Sequence, residues 1–311
     1  MGPGGVLQMA DGVATLRYEI KPGQLALAAM PAPENLPRMR AVRFRARTDH
    51  NTPVAVVLNE REGGRYSAVF WSAANVWQQI ELTPADFALA DGPKDPPDPD
   101  GKLDLDQVQG VAIADVGQVI AGAPVNPDFP AIIERASGMH TLAIEKFEVV
   151  EGSRPTAAAG MIDSFERPFL SWMTLGGMSI GRDGADSPLH EPAVRASYMV
   201  KDDGLAVLTR SLAALDLSGA AVLEFDIASE QEITLIVGFE SKDGKRFHTT
   251  IYPPGKREIF AVKLKLADFE GAGTVDPAKL KTMSLVDVSA VQGGTAAEKN
   301  TYWIGNLRVG R

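Results

Sequence analysis

The 311-residue chain has no cysteine. This removes disulfides, zinc–thiolate sites and thiol nucleophiles together, and leaves the redox compartment open. Histidine is scarce, with only His50, His140, His190 and His248, and none stands in a metal spacing such as H-E-x-x-H. No G-x-S-x-G elbow or phosphate loop occurs. Glycosidase chemistry needs two carboxylates about 5–10 Å apart, and residue order does not reveal which acids converge. No apolar run nears the roughly 18 residues that would span a bilayer, so membrane insertion is not expected. The opening MGPGG has neither the basic nor the apolar region of a secretory signal. A basic excess is missing too. The net charge is −9, with 14 basic and 20 acidic residues in 1–155 and 17 and 20 in the remainder. That excludes the electrostatic footprint of a nucleic-acid binder.

What the sequence does contain is an internal repeat. Tyr18-Glu-Ile-Lys21 and Leu25-Ala-Leu27 recur as Tyr198-Met-Val-Lys201 and Leu205-Ala-Val207, at a constant offset of 180. Val42-Arg-Phe44 aligns with Leu223-Glu-Phe225, and Ile80-Glu-Leu82 with Val262-Lys-Leu264. Ala85-Asp86-Phe87 aligns with Ala267-Asp268-Phe269, and Ile113-Ala-Asp115 with Leu285-Val-Asp287. The order is kept throughout, so the chain reads as two divergent copies of one domain. The expected boundaries are 1–154 for the first copy, 155–160 for a small-residue linker and 161–311 for the second. Met161 to Trp172 has no counterpart before Tyr18, so the first copy is expected to lack an opening strand, or the chain to be part of a longer polypeptide.

The repeated segments read as strands. Arg40 to Thr48 alternates basic and apolar residues, the period of a half-buried strand. Val54–Leu58 and Thr234–Phe239 are short apolar runs, like strands buried on both faces. Arg61–Gly64 and Ser241–Gly244 supply the glycines of hairpin turns. Short helical turns are expected after Asp86 and over Asp104–Val108. With no long amphipathic helix, the fold class is all-β, as two tandem β-sandwiches of the jelly-roll kind.

Candidate ligand residues follow from the alternation. In the first copy it sets Ser67, Val69 and Trp71 on the face opposite Tyr66, Ala68 and Phe70. In the second it sets His248, Thr250 and Tyr252 together. Aromatic faces stack on the CH faces of sugars while hydroxyls and imidazoles bond sugar hydroxyls. Arg45, in an outward stripe with Arg43 and Arg47, joins the candidates. Glu224 and Asp226 occupy the matching places in the second copy, so the charge is inverted. Trp77, Trp172 and Trp303 read as core. Asp98, Asp100 and Asp104 surround a glycine turn and offer hard oxygens to a structural calcium ion. Against this, the EF-hand spacing is absent, and an acidic loop ending in a helix cap is the alternative.

Ile162-Asp-Ser-Phe-Glu166, with Trp172 and Gly176-Gly177, resembles the opening of domains in the complex I intermediate-associated protein and family 11 carbohydrate-binding module group. Trp77, Ile80-Glu-Leu82, Asp86-Phe87, Gly101-Lys-Leu-Asp104, Val111-Ala-Ile113 and Ile144-Glu-Lys-Phe147 fit the later pattern. The resemblance implies galactose-binding-like jelly rolls that bind β-glucans or act as protein-binding modules. It also implies a second calcium candidate at Asp163 and Glu166, with a hairpin-edge acid pair as the alternative. The resulting expectation is a non-catalytic, extracytoplasmic module pair that binds a polysaccharide or oligosaccharide. A protein partner is the alternative, and a jelly-roll glycan hydrolase or lyase comes third.

Overall fold

The computed structural model describes residues 4–21, 24–90, 92, 95–122, 136–153, 160–175, 177–199, 206–289 and 299–311. The chain divides into two compact units near residue 157. The segment read as a linker, 155–160, lies outside the described residues except for Gly160.

Unit one holds β1 (Gly5–Ala10), β2 (Val13–Ile20), β3 (Ala28–Pro31), β4 (Met39–Thr48), β5 (Thr52–Glu60), β6 (Arg65–Ser72), β7 (Gln78–Leu82), β8 (Ala88–Leu89), β9 (Val108–Asp115), the short helix α1 (Gly117–Gly122) and β10 (Gly138–Glu151). Unit two holds β11 (Met161–Asp163), β12 (Met173–Leu175), β13 (Ser179–Asp183), β14 (Ala193–Met199), β15 (Ala206–Ser211), β16 (Val222–Ser229), β17 (Leu235–Ser241), β18 (Arg246–Ile251), β19 (Phe260–Lys265), β20 (Glu270–Gly271), β21 (Leu280–Asp287) and β22 (Lys299–Gly310).

Each unit is an antiparallel sandwich of the jelly-roll kind. In unit one the sheets run β1-β2-β10-β4-β7 and β3-β9-β5-β6-β8; in unit two they run β13-β14-β22-β16-β19 and β12-β15-β21-β17-β18-β20, with β11 added beside β22. Strand for strand the orders correspond, and β11 and β12 have no counterpart among the described residues of unit one. The closing strands share a detail as well. β10 carries a bulge between Glu145 and Glu148, and the β16–β22 register shifts between Glu224 and Asp226. At these points Lys146 and Asn306 take positive φ, 54° and 49°, as the extra residue of a bulge does when it turns the strand.

The cores lie between the sheets, where period-2 alternation delivers every second side chain. Phe44 of β4 meets Phe70 of β6 edge-on at 5.8 Å across the unit-one sandwich. Leu16, Val54, Val56, Leu58, Ile80 and Leu82 are buried around them. Truncating Phe44 to Ala removes this bridge; the expected loss is about 3–5 kcal/mol, measurable by urea unfolding. In β5 and β17 the alternation is one-sided. Ala55, Val57 and Ile236 are only half-buried, which corrects the reading of these strands as buried on both faces. Antiparallel strands of this kind turn one face away from the core, and small aliphatic side chains there mimic a buried run. The turns fall at Pro84–Asp86, just before Phe87, and at Gln107, whose N–H donates to Asp104 O.

The inverted charges at Arg43 and Glu224 are neutralised locally. Arg43 of β4 bonds Glu81 of β7 and Glu148 of β10 at 2.8 and 3.2 Å. In unit two Glu224 of β16 takes the same place between Lys263 of β19 and Arg308 of β22, at 2.8 and 3.1 Å. All three positions have exchanged sign together, so opposite charges face across the strands in both units.

Candidate functional site

The outer face of the second sheet in unit two carries the three candidates predicted for the second copy. Pairing sets His248 of β18 opposite Gly238 of β17, Gly238 opposite Ser284 of β21, and Ser284 opposite Thr209 of β15. The next row is Thr250, Ile236, Val286 and Val207. Gly238 matters here, because a Cβ at this position would stand 2.9 Å from Ser284 Oγ; its absence makes room for the Ser284 hydroxyl. His248 is exposed, Thr250 half-buried, and Tyr252, immediately after β18, is 66% exposed. An aromatic of that exposure has a free ring face and a hydroxyl tip.

The corresponding face of unit one differs. Ser67 lies opposite Val57, Val57 opposite Ala112, and Ala112 opposite Ala29, so this row offers one hydroxyl among small aliphatic groups. Trp71 is 4% exposed, which corrects its assignment as a stacking platform. The chain after β6 bends back to bridge Ala74 to Thr48. The approach to α1 is tied to Pro53, the register partner of Trp71, through Val116 N–H to Pro53 O at 2.9 Å. This end of the sheet is closed, and the indole Nε1 is buried without a hydrogen-bond partner among the described residues. Arg45 belongs to β4 of the other sheet, so it does not share a face with Ser67 and Trp71. Its guanidinium bonds Glu145 at 2.5 Å and, with that of Arg47, covers Trp77 at 5.3 and 5.1 Å from the ring centre. Trp77 is therefore half-buried on an outer face rather than core. Trp172 is fully buried. Trp303 is buried too, but in a cluster with Leu189, Ala193 and Ala228, on the opposite side of β22 from the core residues Tyr302 and Ile304.

The acidic candidates are engaged by protein groups. Asp98 accepts from the Tyr66 hydroxyl and from Asp100 N–H, Asp100 from Lys102 N–H, and Asp104 N–H donates to Glu60 at 2.7 Å. The carboxylates of Asp98, Asp100 and Asp104 do not form a group of ligand atoms within 4.8 Å of one another. Burial, with Asp98, Asp104 and Asp100 around it, pushes the Glu60 carboxyl up. Asp163 accepts from Phe165 N–H and Trp172 Nε1–H, each at 2.9 Å, and from Arg210. Glu166 is exposed, and its carbonyl accepts from Arg182 at 3.3 Å.

Two features escaped the sequence reading. Glu191 covers Gly305, where a Cβ would meet its Oε1 at 2.4 Å, and that oxygen is buried without a hydrogen-bond partner among the described residues. Burial, and then the nearby Asp226, raise its pKa. The folded state then holds the proton more tightly than the unfolded chain, so its stability falls as pH climbs above the ordinary carboxylate range. Glu191→Gln is expected to gain about 1–2 kcal/mol at pH 7 and to lose that advantage near pH 4. Urea melts at the two pH values check it, and an equal effect at both would refute it. The second feature is a polar cluster in unit one. His50 and His140, 90 positions apart, have ring centres 4.0 Å apart and both face Asp49 Oδ1, at 2.9 and 3.0 Å. The repeat held the only sequence signal: His140 pairs with Tyr18 across the strands as Asn300 pairs with Tyr198.

No known protein family's profile matches the chain, and no curated protein does. Solved structures do resemble it. A family 11 carbohydrate-binding module from Clostridium thermocellum, solved with a β-1,3-1,4-mixed-linked tetrasaccharide, is 18% identical over 49% of this chain and 96% of its own, with a TM-score of 0.37. A family 30 carbohydrate-binding module is 16% identical over 43% of this chain and 77% of its own, with a TM-score of 0.34. An exo-β-agarase is 15% identical over 49% of this chain but only 25% of its own, with a TM-score of 0.39.

Proposed function

We propose that the protein is a non-catalytic carbohydrate-binding protein, acting outside the cytoplasm, whose sugar site is the outer face of β15, β21, β17 and β18 in unit two. One observation carries this reading: the exposed Tyr252 continues a strand that presents His248 and Thr250 on the same side, two strands from the hydroxyl of Ser284. A pyranose offers apolar CH faces to an aromatic ring and a rim of hydroxyls to side chains that both donate and accept. The modules named above bind sugars by their own residues; the reading here rests on those of this chain. Affinity electrophoresis through mixed-linked β-glucan, xyloglucan and agarose tests it. Retardation by at least one polysaccharide is expected. Tyr252→Ala and His248→Ala should each weaken it about tenfold, the scale of one lost stacking or well-placed hydrogen-bonding group. Trp71→Ala should leave binding unchanged while lowering stability. No retardation by any polysaccharide, or retardation indifferent to Tyr252→Ala, would sink the proposal.

A protein-binding role is the second reading, favoured by the matching face of unit one. Ala29, Ala55, Val57, Val69, Ala112 and Ala114 make that surface low and apolar, with its only tryptophan buried.

A further inference from the structure

We infer that Asp49, His50 and His140 form a binding site for a borderline divalent d-block cation such as Zn²⁺, Ni²⁺ or Co²⁺. Each of the three residues offers a ligand atom, and these atoms lie within 4.8 Å of one another; we take them to be His50 Nδ1, His140 Nδ1 and Asp49 Oδ1. Both nitrogens approach the carboxylate oxygen at 2.9–3.0 Å. Neighbouring ligand atoms about 2.1 Å from one tetrahedral ion are about 3.4 Å apart, so atoms that are hydrogen-bonded at 2.9 and 3.0 Å need to open by only about 0.4 Å to hold one.

The surroundings of the rings argue the same way. His140 Nε2 faces the carbonyl of Ser137 at 3.0 Å. A carbonyl only accepts, so that nitrogen carries the proton. In a neutral ring Nδ1 is then a lone pair aimed at an anionic oxygen. His50 repeats the pattern, with Nε2 3.2 Å from Asp115 Oδ2 and buried without a well-aligned hydrogen bond. All four ring nitrogens therefore face oxygens. Without a metal both nitrogens of His140 must donate, with a second ring only 4.0 Å away; a cation among the three Nδ1 and Oδ1 atoms removes that demand and leaves both Nε2–H groups pointing at outer acceptors. That is how metal-bound histidines are usually oriented. Asp49 is braced as well: its Oδ2 accepts from Thr141 N–H at 2.9 Å and Thr141 Oγ1 at 3.2 Å. Two imidazoles and one carboxylate suit zinc, nickel or cobalt; calcium prefers an all-oxygen shell.

Unit two provides the control. Glu230 donates its N–H to Thr301 O as Asp49 does to Thr141 O, and Gln231 and Asn300 stand where unit one has His50 and His140. The sandwich thus tolerates Gln and Asn at these places. The untagged full-length chain, stripped by chelator, is titrated with Zn²⁺ and Co²⁺ by calorimetry and absorption. One equivalent should bind and raise Tm, and ¹⁵N–¹H spectra should show Nδ1 of His50 and His140, and not of His190 or His248, shifting on zinc. His50→Gln and His140→Asn should each weaken binding at least tenfold, while His248→Ala leaves it unchanged. No stoichiometric uptake by the unaltered chain, uptake that persists in the His50→Gln/His140→Asn double variant, or imidazole shifts confined to other histidines would overturn the assignment.

Discussion

Asp163→Ala is expected to cost about 3–5 kcal/mol of stability. Asp163 and Arg210 form an ion pair whose side chains are each only 11% exposed. Arg210 also lies over Trp172, 5.8 Å from the ring centre, while the indole N–H of Trp172 donates to the same carboxylate. Removing the acid strands a shielded guanidinium and an indole N–H at once, and breaking one side of a buried pair costs this much because the remaining charge has no partner. Asp163→Asn keeps an acceptor for Phe165 N–H and Trp172, so it should lose less. Asp163→Ala combined with Arg210→Met should recover part of the loss, since no charge is then left behind. Equilibrium urea unfolding measures all three; a loss under 1 kcal/mol for Asp163→Ala would show that water reaches Arg210 freely.

Removing the buried acid that joins the two sheets of unit two should also be costly. Asp287, 4% exposed, accepts from the Tyr198 hydroxyl of the facing sheet and from Ser289 N–H and Oγ, at 2.8 and 2.5 Å. Burial, followed by the Asp287 charge, pushes the Tyr198 phenol far above its ordinary range, so it remains a donor at every accessible pH. Asp287→Ala leaves that donor unpaired in the interior and Ser289 N–H unpaired at its edge, at about 3 kcal/mol. Tyr198→Phe removes only the donor, and about 1–2 kcal/mol is expected. Unit one has the same device: Asp115, fully buried, accepts from Tyr18 Oη and Gly117 N–H, each at 2.7 Å, and from Thr52. Thermal and urea unfolding of the two variants check the ranking; a larger loss for Tyr198→Phe than for Asp287→Ala would contradict it.

The sequence by itself determined most of the strands and the membership of one candidate face. Alternation along Arg40–Thr48 and along Phe247–Tyr252 is a local property of the extended backbone, and it placed His248, Thr250 and Tyr252 on one side. The aligned pairs Tyr18/Tyr198 and Asp115/Asp287 were visible in the repeat, although nothing local revealed that each tyrosine bonds its aspartate across the sandwich. Only the tertiary structure decided which outward residues stay outward. Trp71 has the alternation of an exposed residue but is buried in the folded chain. Arg45 has the pattern of a ligand contact but lies on the other sheet, committed to Glu145. Asp163 has the chemistry of a calcium ligand, yet its oxygens are taken by Trp172, Phe165 and Arg210. His50 and His140 share no local pattern; β10 returning beside β2 and β4 brings them together. The reason is common to all four. Periodicity records which side of its own strand a residue takes, whereas burial, pairing and convergence depend on segments tens of residues away, whose positions are fixed only when the sheets pair and pack.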